Sequence, residues 1–118
     1  MVFFPNATVY ISDLKTVKND EGTKIKTYDF EHPLESFPAD VQPNTLTLAQ
    51  IELYGINAKT ANTKKCFIDL DKGTYAAVGN RAKVVFFNGM VGYYDIQPVN
   101  TWWAHKEFLL IPVENENG

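Results

Sequence analysis

The stretch "AKVVFFNGMVGYYDIQPV", residues 82–99, constrains the fold more than any other part of the chain. Two apolar runs rich in Val, Phe and Tyr flank Asn88-Gly89, and that dipeptide between such runs is a favoured two-residue hairpin turn. Aromatic and β-branched side chains suit a half-buried pleated surface, so an antiparallel β fold is expected. The aromatic share of 14% points the same way.

Other segments repeat the signal. In "ATVYISDLKTV", Val9 and Ile11 alternate with Tyr10 and Ser12, the period of a half-buried strand. Asn19, Asp20 and Gly22 supply turn chemistry, and "KIKTYDF" resumes the alternation. Residues 7–31 therefore read as one hairpin with an exposed, charged tip. Pro33, Pro38 and Pro43 then punctuate the chain, which leaves room for a short or edge strand around Ala39 to Gln42. A strand from Cys66 to Leu70 precedes a turn at Asp71-Lys72-Gly73. "EFLLIPVE" closes the series, with Pro112 suggesting an edge position. About six antiparallel strands in 118 residues predict a single domain and a small closed or partly open β-barrel.

One stretch departs from this pattern. In "NTLTLAQIELYGINAKTANTKKC", Thr47 and Gln50 match a capping box, and Leu48, Ile51 and Tyr54 continue one helical face that Gly55 would terminate. A short helix over Leu46 to Tyr54 is expected, followed by a polar run without periodicity. Long irregular connections inside compact domains are usually functional or disordered, so residues 45–65 are the expected functional insertion. Residues 1–6 form an arm, and residues 115–118 a frayed tail.

Charge and cysteine content narrow the function classes. A net charge of −3 and a pI near 5.3 provide no global positive field for nucleic acid or an anionic membrane. Cys66 has no partner for a disulfide and no zinc-type spacing, and is expected as a small buried hydrophobe. The N-terminal "MVFFPNATVY" lacks a signal-peptide pattern, and no apolar segment reaches membrane-spanning length, so a soluble intracellular protein is expected.

Catalytic chemistry finds little support. His32 and His105 belong to no catalytic or metal signature. "IDLDKGTY" places Asp69 and Asp71 two apart before Gly73 but lacks the remaining ligands of a calcium loop. No enzyme activity, metal or cofactor is expected. Local positive charge is the suggestive feature: Lys15, Lys18, Lys24 and Lys26 load the first hairpin, and Lys59, Lys64 and Lys65 follow the helix. Their bland role is to keep strand edges soluble; their functional one is contact with an acidic partner or phosphates. Trp102 and Trp103 are adjacent, so in extended chain they point to opposite sides and one is left for a partner.

The order of these segments resembles the head-completion, or stopper, proteins of long-tailed bacteriophages. The likeness is carried by the charged hairpin "VYISDLKTVKNDEGTKIKTYDF", the "DVQP" strand, the helix and polar loop "LTLAQIELYGINAKTANTKK", and the "NGMVGYYDIQPV" hairpin with Gly92, Tyr93, Tyr94 and Ile96. It covers roughly residues 7 to 114. The resemblance implies a β-barrel assembled as a homo-oligomeric ring of six or twelve copies in the virion neck, made in the bacterial host cytoplasm. Such a ring lies between a head adaptor protein and a tail terminator protein, with packaged DNA passing transiently through it. It closes the channel after packaging, retains the DNA, and presents the tail attachment surface.

By that resemblance the channel-gating loop is Gly55, Ile56, Asn57, Ala58, Lys59, Thr60, Ala61, Asn62, Thr63 and Lys64. The ring and partner contacts are Lys15, Lys18, Lys24, Lys26, Trp102 and Trp103. Two other functions fit the same composition. One is a different head-tail joining component such as a tail terminator. The other is a free-standing β-barrel binding module that stacks ligands on Trp102, Trp103, Tyr93 and Tyr94.

Overall fold

The computed structural model describes residues 5–18, 20–43, 63–97, 100–101 and 105–114. The expected helix Leu46–Tyr54, loop residues Gly55 to Asn62, Trp102, Trp103 and the tail 115–118 lie outside the described residues. The described chain is all β. Its strands are β1 (Ala7–Ser12), β2 (Leu14–Lys18), β3 (Lys24–Tyr28), β4 (Glu35–Pro43), β5 (Lys64–Ile68), β6 (Arg81–Phe86), β7 (Val91–Ile96), β8 (Asn100–Thr101) and β9 (Lys106–Val113).

Six of these form a closed antiparallel barrel in the order β5-β4-β1-β6-β7-β9, with β9 pairing back onto β5 and β8 added to β9. Closure leaves no continuous barrel edge open to foreign strands. The core is built by alternation. Val9 and Ile11 of β1, Phe37, Ala39 and Val41 of β4, Cys66 and Ile68 of β5, Ala82 and Val84 of β6, and Phe108 and Leu110 of β9 all turn inward. Each fully buried Val, Ile, Leu or Phe contributes about 1.5–3 kcal/mol relative to exposure. Cys66 occupies the interior as expected, 0% exposed.

Residues 7–31 do not form a single hairpin. Strand pairing breaks at Asp13: β1 belongs to the barrel, between β4 and β6, while β2 and β3 leave it as a separate two-stranded ribbon. Alternation continues on both sides of the break, but only β1 has layers to bury against.

The prolines do not mark edge strands either. β4 spans nine residues between β1 and β5. Pro38 is opposite Thr8 of β1, at a level where β5 has not yet begun to pair, since that ladder starts at Asp40–Phe67. Pro112 of β9 repeats the arrangement: it is opposite Tyr94 of β7, beyond the last β5 pair at Leu110. A missing N–H costs no ladder bond where one neighbour is absent.

The β6–β7 turn is one residue longer than Asn88-Gly89 suggests. Gly89 N–H donates to Phe86 O at 2.9 Å and Phe86 N–H to Met90 O at 2.8 Å, so residues 87–89 form the loop. Gly89 takes φ +92°, while no described non-glycine residue, Asn88 included, has positive φ, which excludes the mirror-image turn that needs Asn88 there as well. Gly89 is therefore the bulge residue of a three-residue hairpin.

β5 starts earlier than the expected Cys66. Lys64 is already paired with Pro43 and Leu110, and Lys65 with Gln42 and Leu109. Thr63 is 1% exposed. The last two residues of the expected gating loop thus belong to the barrel wall and its lining.

Candidate interaction surface

The barrel has two ends. At one, Ala7 pairs with Ala39 and Phe86, and β4 runs on to Pro43. The β6–β7 turn and the chain leaving Pro43 share this end. At the other, Ser12 pairs with Arg81, and the β2–β3 ribbon departs.

Register assigns the ribbon its two faces, because directly opposed residues share a face. Lys18 opposes Lys24, and Thr16 opposes Lys26, on one face. Val17 opposes Ile25, and Lys15 opposes Thr27, on the other. Three of the four candidate lysines therefore converge, and Lys15 is separated from them. Val17 and Ile25 remain 40% and 44% exposed, so this apolar pair on the reverse face is not covered by the barrel.

The ribbon is clamped at its base. Tyr28 O–H donates to Gly79 O at 3.3 Å, and the Arg81 guanidinium carbon sits 4.5 Å from the centre of the Tyr28 ring. Arg81 Nε–H donates to Asp95 Oδ1 at 2.9 Å. Tyr28 stacks on Phe30, which packs against Tyr93 at 5.7 Å. Across the corner, Ser12 Oγ accepts from Asp29 N–H at 2.9 Å and donates to Asp13 O at 3.0 Å. Among the described residues, Asp13 Oδ1 is a buried oxygen without a hydrogen-bond partner.

The two tyrosines of the expected stacking platform sit in different surroundings. Tyr94 is in the core, its hydroxyl pKa raised by burial, and Tyr93 is engaged with Phe30.

The histidines sit in ordinary ion-pair surroundings. His32 Nδ1 lies 3.1 Å from Asp29 Oδ2 on an exposed turn, and His105 Nε2 lies 3.6 Å from Glu107 Oε2, which faces Lys65 Nζ from its other oxygen's side at 3.7 Å. Asp29, Glu31 and His32 are the described group close enough to share a metal ion, but the Asp29 carboxylate already accepts from the Glu31 amide and meets the His32 ring. Asp69 and Asp71 do not converge as calcium ligands. The Asp71 side chain is 77% exposed beside Lys72, and the loop is instead tied down by Glu35, whose carboxylate accepts from Gly73 and Tyr75 N–H.

Two further surface features were not legible in the sequence. At the end opposite the ribbon, Phe87 and Met90 are each 66% exposed around the β6–β7 turn, Phe87 with its N–H donating to Asn6 O at 3.0 Å. On the flank of β4 and β5, a hollow of about 20 Å³ is lined by Pro5, Pro38, Ala39, Asp40, Phe67, Ile68 and Asp69. It has room for one water-sized group. Its signal in the sequence was the outward position of Asp40 in a strand and of Asp69 just past one, which alternation alone cannot bring together.

No protein-family model and no curated protein matches the chain. Among solved structures it is similar to the solution structure of protein SF1141 from Shigella flexneri 2a, with a TM-score of 0.53 and 17% identity over 97% of this chain and 98% of that one. At that identity the likeness is one of fold, and it extends over nearly the whole of both chains.

Proposed function

We propose that this chain is a structural subunit of a bacteriophage neck, a head-completion or stopper protein that assembles as a ring, retains packaged DNA and receives the tail. The observation that carries this reading is the polarity of the barrel. A basic ribbon leaves one end, and the chain between Pro43 and Lys64 is held at both its ends by paired barrel strands at the other. Such a barrel is a rigid frame that can hold a connecting segment in a channel while a separate device contacts neighbours.

The electrostatics agree with the role. A net charge of −3 keeps DNA from being bound through counterion release while it passes. Asp29–His32, Glu35–Gly73 and Arg81–Asp95 are pairings that tie loops and strands together. A tail terminator would share these features, and the identity of the neighbouring ring separates the two.

The test is electron microscopy of particles from a phage lacking this reading frame, with retained DNA quantified. Tailless heads that have packaged and lost their DNA are the expected result. Full heads with normal tails would sink the neck assignment.

A further inference from the structure

The charge of the chain is divided unevenly. Between Leu14 and Tyr28 four lysines stand against Asp20 and Glu21, so the ribbon carries +2 and the rest of the chain −5. Within the ribbon, Lys18 directly opposes Lys24, with Lys26 on the same face. Like charges directly opposed in a ladder are unfavourable. The ion pairs Asp29–His32, Lys65–Glu107 and Arg81–Asp95 among the described residues do not involve these three lysines. All three are exposed.

The complementary feature lies on the barrel flank. The hollow between β4 and β5 sets two carboxylates, Asp40 and Asp69, among the apolar walls of Pro5, Pro38 and Phe67. A lysine side chain has this same division, an apolar stem with a charged tip. Asp40 Oδ2 accepts from Gln42 Nε2 at 3.0 Å, which leaves its carboxylate capacity for further donors.

We propose that the Lys18–Lys24–Lys26 face of one copy docks on the Asp40–Asp69 flank of a second copy of this chain. One lysine stem lies along Pro5, Pro38 and Phe67 with its ammonium between the carboxylates. Ribbon and hollow are different surfaces, so the contact is head-to-tail and repeats into a closed ring or an open filament. The inference rests on the ring reading for its setting, and names the contact that would join neighbouring subunits. DNA is the less favoured occupant, because the −5 on the remaining chain repels phosphates as they approach the ribbon.

The experiment is sedimentation velocity of the full chain over a concentration series at low and high salt. It is paired with carbodiimide cross-linking of mixed isotopically labelled and unlabelled chains, mapped by mass spectrometry. Association that weakens with salt is expected, with links between copies joining Lys18, Lys24 or Lys26 to Asp40 or Asp69. The K18E/K24E/K26E variant and the D40K/D69K variant should each weaken association at least about tenfold, and an equimolar mixture of the two should restore it. Circular dichroism of each variant verifies the barrel.

Absence of inter-copy links, association indifferent to either variant, or a mixture that fails to restore it would overturn the proposal. So would ribbon lysines that bind duplex DNA while forming no link to a second copy. Emptied, tailless heads combined with a failed mixture would keep the stopper reading and remove this contact. Restored association combined with normally tailed particles would do the reverse.

Discussion

Asp29 shows how a single half-buried residue can hold a local geometry. Its carboxylate accepts from Glu31 N–H at 3.1 Å and lies 3.1 Å from His32 Nδ1. The His32 hydrogen bond is the main reason its pKa falls below the ordinary 3.8, with the Glu31 amide assisting and partial desolvation opposing. Because the folded-state pKa is the lower one, the carboxylate's contribution to stability is present above pH 3.8. It is lost as pH falls through the depressed value. A carboxyl NMR titration should give a midpoint below 3.8, and H32A should return it toward that value. A midpoint unmoved by H32A would assign the effect to the backbone instead. Cys66 is the opposite case, a thiol whose pKa is pushed well above its usual range by burial, with the Asp40 charge adding to the shift. Its burial was legible, since an unpaired cysteine in an apolar strand behaves as a small hydrophobe. The Asp29–His32 pair was not, since nothing in residues 29–32 specifies the turn that folds one back on the other.

At the scale of elements, the β2–β3 ribbon is the part that cannot stand alone. A two-stranded ribbon is at best marginal in water, and this one leaves Leu14, Val17 and Ile25 exposed. Its order comes from the base, where Arg81, 7% exposed, bonds Asp95 and lies over the Tyr28 ring. R81A should cost about 1–3 kcal/mol through the lost charged hydrogen bond and cation–π contact. In hydrogen exchange, the amides of β2 and β3 should accelerate more than those of β1 and β6. R81K should rescue only in part, because an ammonium lacks the planar fork and stacking surface of the guanidinium. Uniform acceleration across the barrel with the ribbon unchanged would disprove the clamp. The element boundaries themselves were only partly legible. Alternation located β1, β3, β6 and β7, yet the proline rule pointed to edges for two strands that are paired on both sides over part of their length. Pro38 and Pro112 are accommodated by stagger between neighbouring strands, which no local pattern reports.

At the scale of the whole molecule, the barrel is closed by the β5–β9 ladder, Lys64–Leu110 through Ile68–Lys106. Phe108, 2% exposed, sits in that seam opposite Cys66. F108A should cost about 3–5 kcal/mol, seen as a lower denaturant midpoint with one transition, because the seam and the rest of the core share a single cluster. Two separate transitions would mean that the seam opens by itself. The β class and the inward positions of Val9, Ile11 and Cys66 followed from the sequence alone, because side-chain alternation is a local property of extended chain and apolar surface must leave water. Which strands became neighbours was decided by the tertiary structure. The same alternating run was divided at Asp13 into a barrel strand and an uncovered ribbon, three lysines were gathered on one face by register, and Asp40 was set beside Asp69 across β4 and β5. Each of those outcomes depends on what packs against a strand, a relation between residues distant in the chain that the spacing of nearby residues does not encode.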